Sequence, residues 1–270
     1  MALVATDAVV LHAQLYSESS RILRLATRAH GVVSVMAKGA RKTQRRFGSA
    51  VDLFAEGEAS YYAKSGRDLQ TLAAFEVSRA RVALGHDLDR FTTAAVVAEL
   101  VLRFGRDEPE PAWYAALVAA LDAIETVPAE VAREAGLAGA WAVIGAMGFT
   151  PSLDACARCG RELDADAPVR FSQPLGGALC DACAQLGGAT RTLPADARAT
   201  LRVWLGVDPH APALQLTAGE IVPMEVGTVR AHQRLMREFL REHLTDGRPL
   251  RAFETWEGAA LGAGSHGSRS

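Results

Sequence analysis

The chain has 270 residues, 49% of them hydrophobic and only 6% aromatic, with a formal net charge of −2. That length allows one or two domains with real cores, and no apolar run approaches the roughly 20 residues of a membrane span; Ala94–Leu102, the best candidate, is broken by Glu99. Residues 1–81 hold twelve Lys/Arg against seven Asp/Glu, net +5, and the remainder holds 17 against 24, net −7. A basic first part joined to an acidic remainder matters, because partner choice follows local charge. The start, MALVATDAVVLHAQ, has neither a basic n-region nor a compact apolar h-region, so the expected location is cytoplasmic.

In chain order, the first eighty residues read as β. Ala2–Gln14 alternates loosely and is rich in Val and Leu; Ser20–Thr27 follows a polar turn at Ser17–Ser19; Gly31 opens Val32–Lys38. The polar, basic stretch Gly39–Gly48 reads as a loop, Ser49–Lys64 as a fourth strand, and Leu69–Ser78 after Gly66 as a fifth. Five short strands fit an OB-type barrel, with an SH3-like barrel or an open sheet as competing arrangements.

From residue 81 the period becomes helical. Asp87 caps a helix to about Phe104, with Leu88, Phe91, Ala95 and Leu102 as inward candidates. Ala112–Glu125 places Trp113, Leu117, Leu121 and Ile124 at helical spacing, and Pro128 starts a third helix through Val131, Leu137, Trp141 and Ile144. After the stretch 152–190, a helix runs from Pro194 to Leu205 and a long one from Pro223 to Leu244. The expected organisation is multi-domain α+β: a five-stranded OB-fold domain at 1–80, an α-helical bundle domain at 81–151 plus 191–257, an inserted four-cysteine zinc-ribbon-like module at 152–190 and a disordered tail at 258–270.

The four cysteines, Cys156, Cys159, Cys180 and Cys183, fall in two C-x₂-C pairs. Two residues between thiolates let both point at one ion, and two such knuckles complete a tetrahedral S₄ site suited to Zn²⁺, one per chain. Four protein ligands leave no open position for an activated water, so the expected role is structural. Two disulfides would need a secretory context, and a redox pair would leave the second pair unexplained. Val169–Ser172 and Gly177–Leu179 read as short hairpin strands between the knuckles.

The densest charge cluster is Lys38, Arg41, Lys42, Arg45 and Arg46, five cations with no acidic residue between them. On a barrel loop they would meet nucleic-acid phosphates; an ordinary solvated loop is the plain alternative. Arg21, Arg24 and Arg28 on the second strand extend the surface, and Tyr16, Tyr61 and Tyr62 are candidate stacking platforms for unpaired bases. Arg230, Arg234, Arg237 and Arg241 are spaced 4, 3 and 4 and share one helix face. They form either a docking face for DNA or an acidic partner, or a face laced by salt bridges to Glu238 and Glu242. The sequence contains no phosphate-loop, H-E-x-x-H or G-x-S-x-G signature, and its seven histidines show no metal spacing. His232 and His243 read as packing or surface residues.

The segment YSESSRILRLATRAHGVVSVMAKGARK, Tyr16–Lys42, resembles the signature of the bacterial RecO family of recombination mediators, as do FGSAVDLFAEGE after it and GRPLRAFE at Gly247–Glu254. The order of barrel, helical bundle and inserted cysteine module is similar to that family's zinc-bearing branch. The resemblance implies DNA repair and homologous recombination: binding of single- and double-stranded DNA, annealing of complementary strands, and recombinase loading onto DNA coated by single-strand-binding protein, together with RecR. It implies contact with that coating protein's acidic C-terminal tail, no catalysis, and work at the nucleoid. It carries DNA contact onto Lys38, Arg41 and Lys42; Arg45 and Arg46 extend the patch on charge alone. The rival expectation is an adaptor that recognises acidic protein tails without binding DNA.

Overall fold

The structure is a computed structural model that describes residues 2–38, 52–105, 108–206, 223–244 and 249–262, the side chains of 259–262 excepted. Strands β1 (Ala2–Leu15), β2 (Arg21–Thr27), β3 (Gly31–Ala37), β4 (Glu56–Ala63) and β5 (Leu69–Arg79) close into a barrel in the order β1-β2-β3-β5-β4. All pairings are antiparallel except β3 with β5, where Ser34 lies opposite Leu69. Closure through that parallel pair is the OB arrangement. The fourth strand starts at Glu56, not at Ser49; Asp52–Ala55 is irregular, and residues 49–51 lie outside the described set.

Small residues let five strands close tightly. Ala8, Ala37 and Ala59 share the interior with Val10, Leu23, Leu25, Val35, Tyr61, Leu72 and Phe75. The run Val9-Val10-Leu11 explains why β1 alternates only loosely: Val10 points into the barrel, while Val9 and Leu11 belong to the core shared with the helices.

The helical part comprises α1 (Ala83–His86), α2 (Leu88–Phe104), α3 (Pro111–Thr126), α4 (Ala132–Ala146), α5 (Asp181–Ala184), α6 (Ala195–Trp204), α7 (Val226–His243) and α8 (Arg251–Gly262). Asp87 caps α2 by accepting from the Arg90 N–H at 2.9 Å. Two of its four inward candidates face solvent: Leu88 and Phe91 are exposed, and the buried side is Thr92, Thr93, Ala94, Val96, Val97, Ala98, Leu100 and Val101. The helix is apolar nearly all round, so periodicity alone did not fix its rotation. On α3 and α4, Trp113, Leu117, Leu121, Ile124, Leu137, Trp141 and Ile144 are buried as their spacing predicts. The α2–α4 crossing is close: a Cβ on Gly136 would sit 2.0 Å from Thr93 Cγ2. Helix α8 runs into the stretch 258–270 expected to be disordered, because Phe253 and Trp256 anchor its start in the core; residues 263–270 are outside the described set.

Arg81 joins barrel to bundle. Its side chain is fully buried and its φ is +45°, a conformation tolerated only where surroundings hold it. The guanidinium donates to the Phe54 carbonyl at 3.1 Å, to Glu56 on β4 at 2.5 Å and to Asp122 on α3 at 2.7 Å. Phe54, at φ +68°, packs its ring against Phe91.

The cysteine module forms a three-stranded sheet, β7 (Gly177–Leu179), β6 (Val169–Ser172) and β8 (Arg191–Leu193). β8 pairs with β6, so the sheet runs three residues past the expected boundary at 190. The helices before and after the module share one core, α4 packing on α6 and α7 and α2 on α8.

Candidate metal centre and nucleic-acid interface

The four Sγ atoms all lie within 4.8 Å of one another, and Cys159 and Cys180 are 3.8 Å apart. A disulfide needs about 2.05 Å. A tetrahedron with metal–sulfur bonds of about 2.3 Å has edges of about 3.8 Å, so the donor set fits one ion. The first knuckle is turned by Gly160 at φ +73°, its N–H donating to the Cys156 carbonyl at 2.8 Å. The second knuckle sits at the start of α5. Burial pushes the Cys156 thiol up, but backbone N–H groups of Cys180, Cys159 and Arg158 outweigh it and bring the pKa down to about 6. Cys183 is pushed up to about 12 by burial and by the neighbouring cysteines. One thiolate forms easily and the next resists, the behaviour of crowded sulfurs that a cation between them would relieve. The four cysteines can hold a metal ion, consistent with a zinc module.

What fastens this module is a residue the sequence reading missed. Arg198 on α6 is fully buried and donates to the carbonyls of Leu153 at 2.9 Å, Ala167 at 3.3 Å and Leu163 at 3.5 Å, and also to that of Asp164. Burial lowers its pKa. Asp154 is paired with Arg202 at 3.0 Å. Arginine on an otherwise apolar helix face is the one local hint; its partners are 31 to 45 residues away.

Of the basic cluster, Arg41, Lys42, Arg45 and Arg46 lie outside the described residues, and Lys38 is exposed at the end of β3. The β2 arginines divide. Arg21, half-buried, lies opposite both Leu15 and Ala37, at the barrel end that Lys38 leaves. Arg24 donates to the Leu102 carbonyl of α2 at 3.0 Å. Arg28 pairs with Asp7 at 2.9 Å and lies over the Tyr114 ring at 5.1 Å, so it sits at the barrel–helix seam with its side chain still exposed. Tyr16 is 62% and Tyr62 39% exposed, but Tyr61 is 3% exposed and faces the barrel interior, which removes it as an open stacking platform. Sequence did not reveal a groove of about 400 Å³ where Arg24 and His30 meet Arg67 of the β4–β5 turn. Only the β3–β5 pairing brings Arg67 there. The β1–β2 and β4–β5 loops flank the face with which OB barrels bind oligonucleotides.

On α7, Arg230, Arg234, Arg237 and Arg241 are all exposed. Glu238 accepts from Arg191 of β8 at 2.7 Å, while Arg237 pairs with Glu257 of α8 at 2.5 Å. Tertiary partners thus replace part of the expected within-helix ladder. Arg237 and Arg241 also line a cavity of about 220 Å³ with Leu240, Leu250 and Phe253. His243 lies within 2.7 Å of the Gln173 carbonyl. No helix among the described residues is long and apolar enough to cross a membrane.

Barrel, helical part and cysteine cluster together define a multi-domain OB-barrel protein with an inserted module that can hold a metal ion. Two family models cover nearly all of it: Recombination protein O N terminal at residues 1–81 and Recombination protein O C terminal at residues 85–252. The chain is 38% identical to the DNA repair protein RecO of Anaeromyxobacter sp. (strain K) over 96% of its length and 99% of that protein's. It is 31% identical to the DNA repair protein RecO of Symbiobacterium thermophilum over 82% of this chain and 87% of the other. The chain belongs to the RecO family.

Proposed function

We propose that this protein is a non-catalytic mediator of DNA repair and homologous recombination that binds single- and double-stranded DNA and anneals complementary strands. The observation that carries the reading is the closed five-stranded barrel, with Tyr16 and Arg21 at one end beside Lys38 and with Arg67 on the β4–β5 turn, in a chain of the RecO family. Phosphates meet the cations with little base preference, and exposed tyrosine stacks unpaired bases. Neutralising two strands lowers their repulsion and lets them pair. The stretch from Arg41 to Arg46, outside the described residues, adds four cations close to Lys38 in the sequence. In the proposed role it works in the cytoplasm at the nucleoid, with RecR and single-strand-binding protein, to load recombinase.

The metal is zinc, one per chain, held by Cys156, Cys159, Cys180 and Cys183 as a structural ion. The acidic C-terminal tail of single-strand-binding protein docks on the helical part; Arg241 with Leu250 and Phe253 is a candidate contact, in a cavity that Glu254 also lines and where Arg237 is already paired with Glu257.

The test is DNA binding across a salt series with Arg21, Lys38, Arg41, Lys42, Arg45 and Arg46 all changed to Ala. The expected result is at least a tenfold loss at low salt and a shallower salt slope. Unchanged affinity and slope would sink the assignment. Binding of the acidic tail peptide with no affinity for bare DNA would favour the adaptor reading instead.

A further inference from the structure

The barrel wall is incomplete at one place. Strand β3 meets β5 only where Ser34, Val35 and Met36 lie opposite Leu69, Gln70 and Thr71. The two strands are parallel, so Gly31–Val33 fall beside the β4–β5 turn, ahead of the start of β5. The groove of about 400 Å³ lies at this gap. Two sets of side chains line it. Val33, Tyr61 and Ala63 belong to the barrel core, and Arg24, His30 and Arg67 stand around them. The groove therefore opens onto the barrel interior. Arg24 is also bonded to the Leu102 carbonyl, and one carboxylate, Asp68, offsets the cations.

Tyr61 supplies the observation that points to a ligand. It is 3% exposed, lines the groove, and its hydroxyl has no hydrogen-bond partner among the described residues. The Tyr114 hydroxyl is also unpartnered but is sealed from solvent; that of Tyr61 is not. The ring packs in the core and the polar tip reaches the groove. Burial raises its pKa, so the hydroxyl stays protonated and offers both a donor and an acceptor. Buried polar groups in folded proteins normally have partners. The Ser34 hydroxyl lines the same groove and is likewise unbonded among the described residues. His30, exposed, meets the Tyr61 ring edge-on at 6.2 Å. The rim is built in advance: Gln70 accepts from the Lys64 N–H at 2.8 Å and donates to the carbonyls of Lys64 at 3.3 Å and Arg67 at 2.6 Å, which fastens the β4–β5 turn.

The groove is of small-ligand size. An apolar floor, two hydroxyls within it, an imidazole at the rim and an arginine outside match a flat ring with polar edges joined to a phosphate. We propose that this opening takes a single unpaired nucleobase of a DNA strand, its face on His30, its edge on the Tyr61 and Ser34 hydroxyls and its phosphate toward Arg67. The proposal rests on the reading of the barrel as the DNA-binding domain and adds a discrimination to it. Phosphate contacts carry no information about pairing. A paired base must leave its stack to enter, at a cost in free energy that an unpaired base does not meet. The opening thus favours single strands over duplex.

The experiment is fluorescence anisotropy on the full-length, metal-loaded protein with three probes of equal length: oligothymidylate, an abasic strand and a duplex. Wild type is expected to bind oligothymidylate about tenfold or more tightly than the abasic strand, which has the same phosphates but no bases. Tyr61→Phe keeps the ring in the core and removes a hydroxyl that no described residue bonds, so the fold and its Tm should stand. It should weaken oligothymidylate about fivefold and leave the abasic strand and the duplex unchanged. Adding Ser34→Ala should bring oligothymidylate close to the abasic strand. Arg21→Ala with Lys38→Ala should weaken all three probes and keep the preference among them, which separates phosphate contact from base insertion. Equal binding of oligothymidylate and the abasic strand by wild type overturns the proposal and leaves DNA binding intact. So does a preference that Tyr61→Phe and Ser34→Ala do not alter. Failure of all three probes to bind would sink the DNA-binding reading itself, and this proposal with it.

Discussion

The barrel and the cysteine module are both small β-structures, yet different forces hold them. The barrel buries its own interior, from Ala8 and Leu25 to Phe75, and a second layer of Val9, Leu11, Ala26 and Val32 against the helices. The module's own cluster is Leu179 and three cysteines, while its other buried apolar residues, Leu153, Val169, Phe171, Ala178 and Leu193, belong to the core of the helices. Burial on that scale does not offset the ordering of some forty residues at about 1–2 kcal/mol of backbone entropy each. Packing on the helical core, a buried arginine and, in the proposed zinc-bound form, coordination by the four cysteines supply the difference. A barrel so built leaves its outer surface free to vary in charge; the module commits its most reactive side chains to staying folded.

The largest expected effect is loss of the metal. Structural zinc sites contribute about 10 kcal/mol or more of apparent binding free energy, so chelation or Cys156→Ser should unfold β6–β8 while the barrel keeps its hydrogen-exchange protection. Retained metal stoichiometry and an unchanged Tm in Cys156→Ser would remove the distinction. Next comes Arg198→Ala, which strands carbonyls of Leu153, Leu163, Asp164 and Ala167 without their donor. We expect a cost of about 3–5 kcal/mol, measured by urea unfolding. In the barrel, Leu25→Ala should cost about 3 kcal/mol with metal content unchanged, because only a cavity is created.

The seam between module and bundle adds a pH dependence. His232 has a folded pKa of about 4 against 6.5 unfolded. Between those values the unfolded chain binds the extra proton, so stability is full above pH 6.5 and falls as pH drops toward 4, by up to about 3 kcal/mol. Urea midpoints across that range should lose this slope in His232→Leu. The smallest effect on stability belongs to the barrel surface. Arg21→Ala with Lys38→Ala should shift stability by less than about 0.5 kcal/mol per substitution, yet lower the salt slope of DNA binding by about 2.

Much of this was legible along the chain where the signal was local. The C-x₂-C spacing places two thiolates on one turn without reference to the rest of the fold. Asp87 marks the start of α2 because a cap acts on an N–H three residues away. The signal failed where the chain was uniformly apolar, as at Leu88 and Phe91, and where a side chain's role was set by distant backbone. Tyr61 and Tyr62 are adjacent and chemically identical, and alternation across β4 buries one and exposes the other.

By itself the sequence determined the four cysteines that can hold a metal ion, the order of strands and helices, and the concentration of positive charge in the first part. Tertiary structure decided which arginines work as anchors. Arg81 reaches Asp122 across 41 residues, Arg24 reaches Leu102 across 78 and Arg198 reaches Leu153 across 45. A guanidinium carries the same charge and five donors wherever it stands. Whether those donors meet buried carbonyls or solvent depends on what the fold brings within about 3 Å, and no local pattern of residues encodes that.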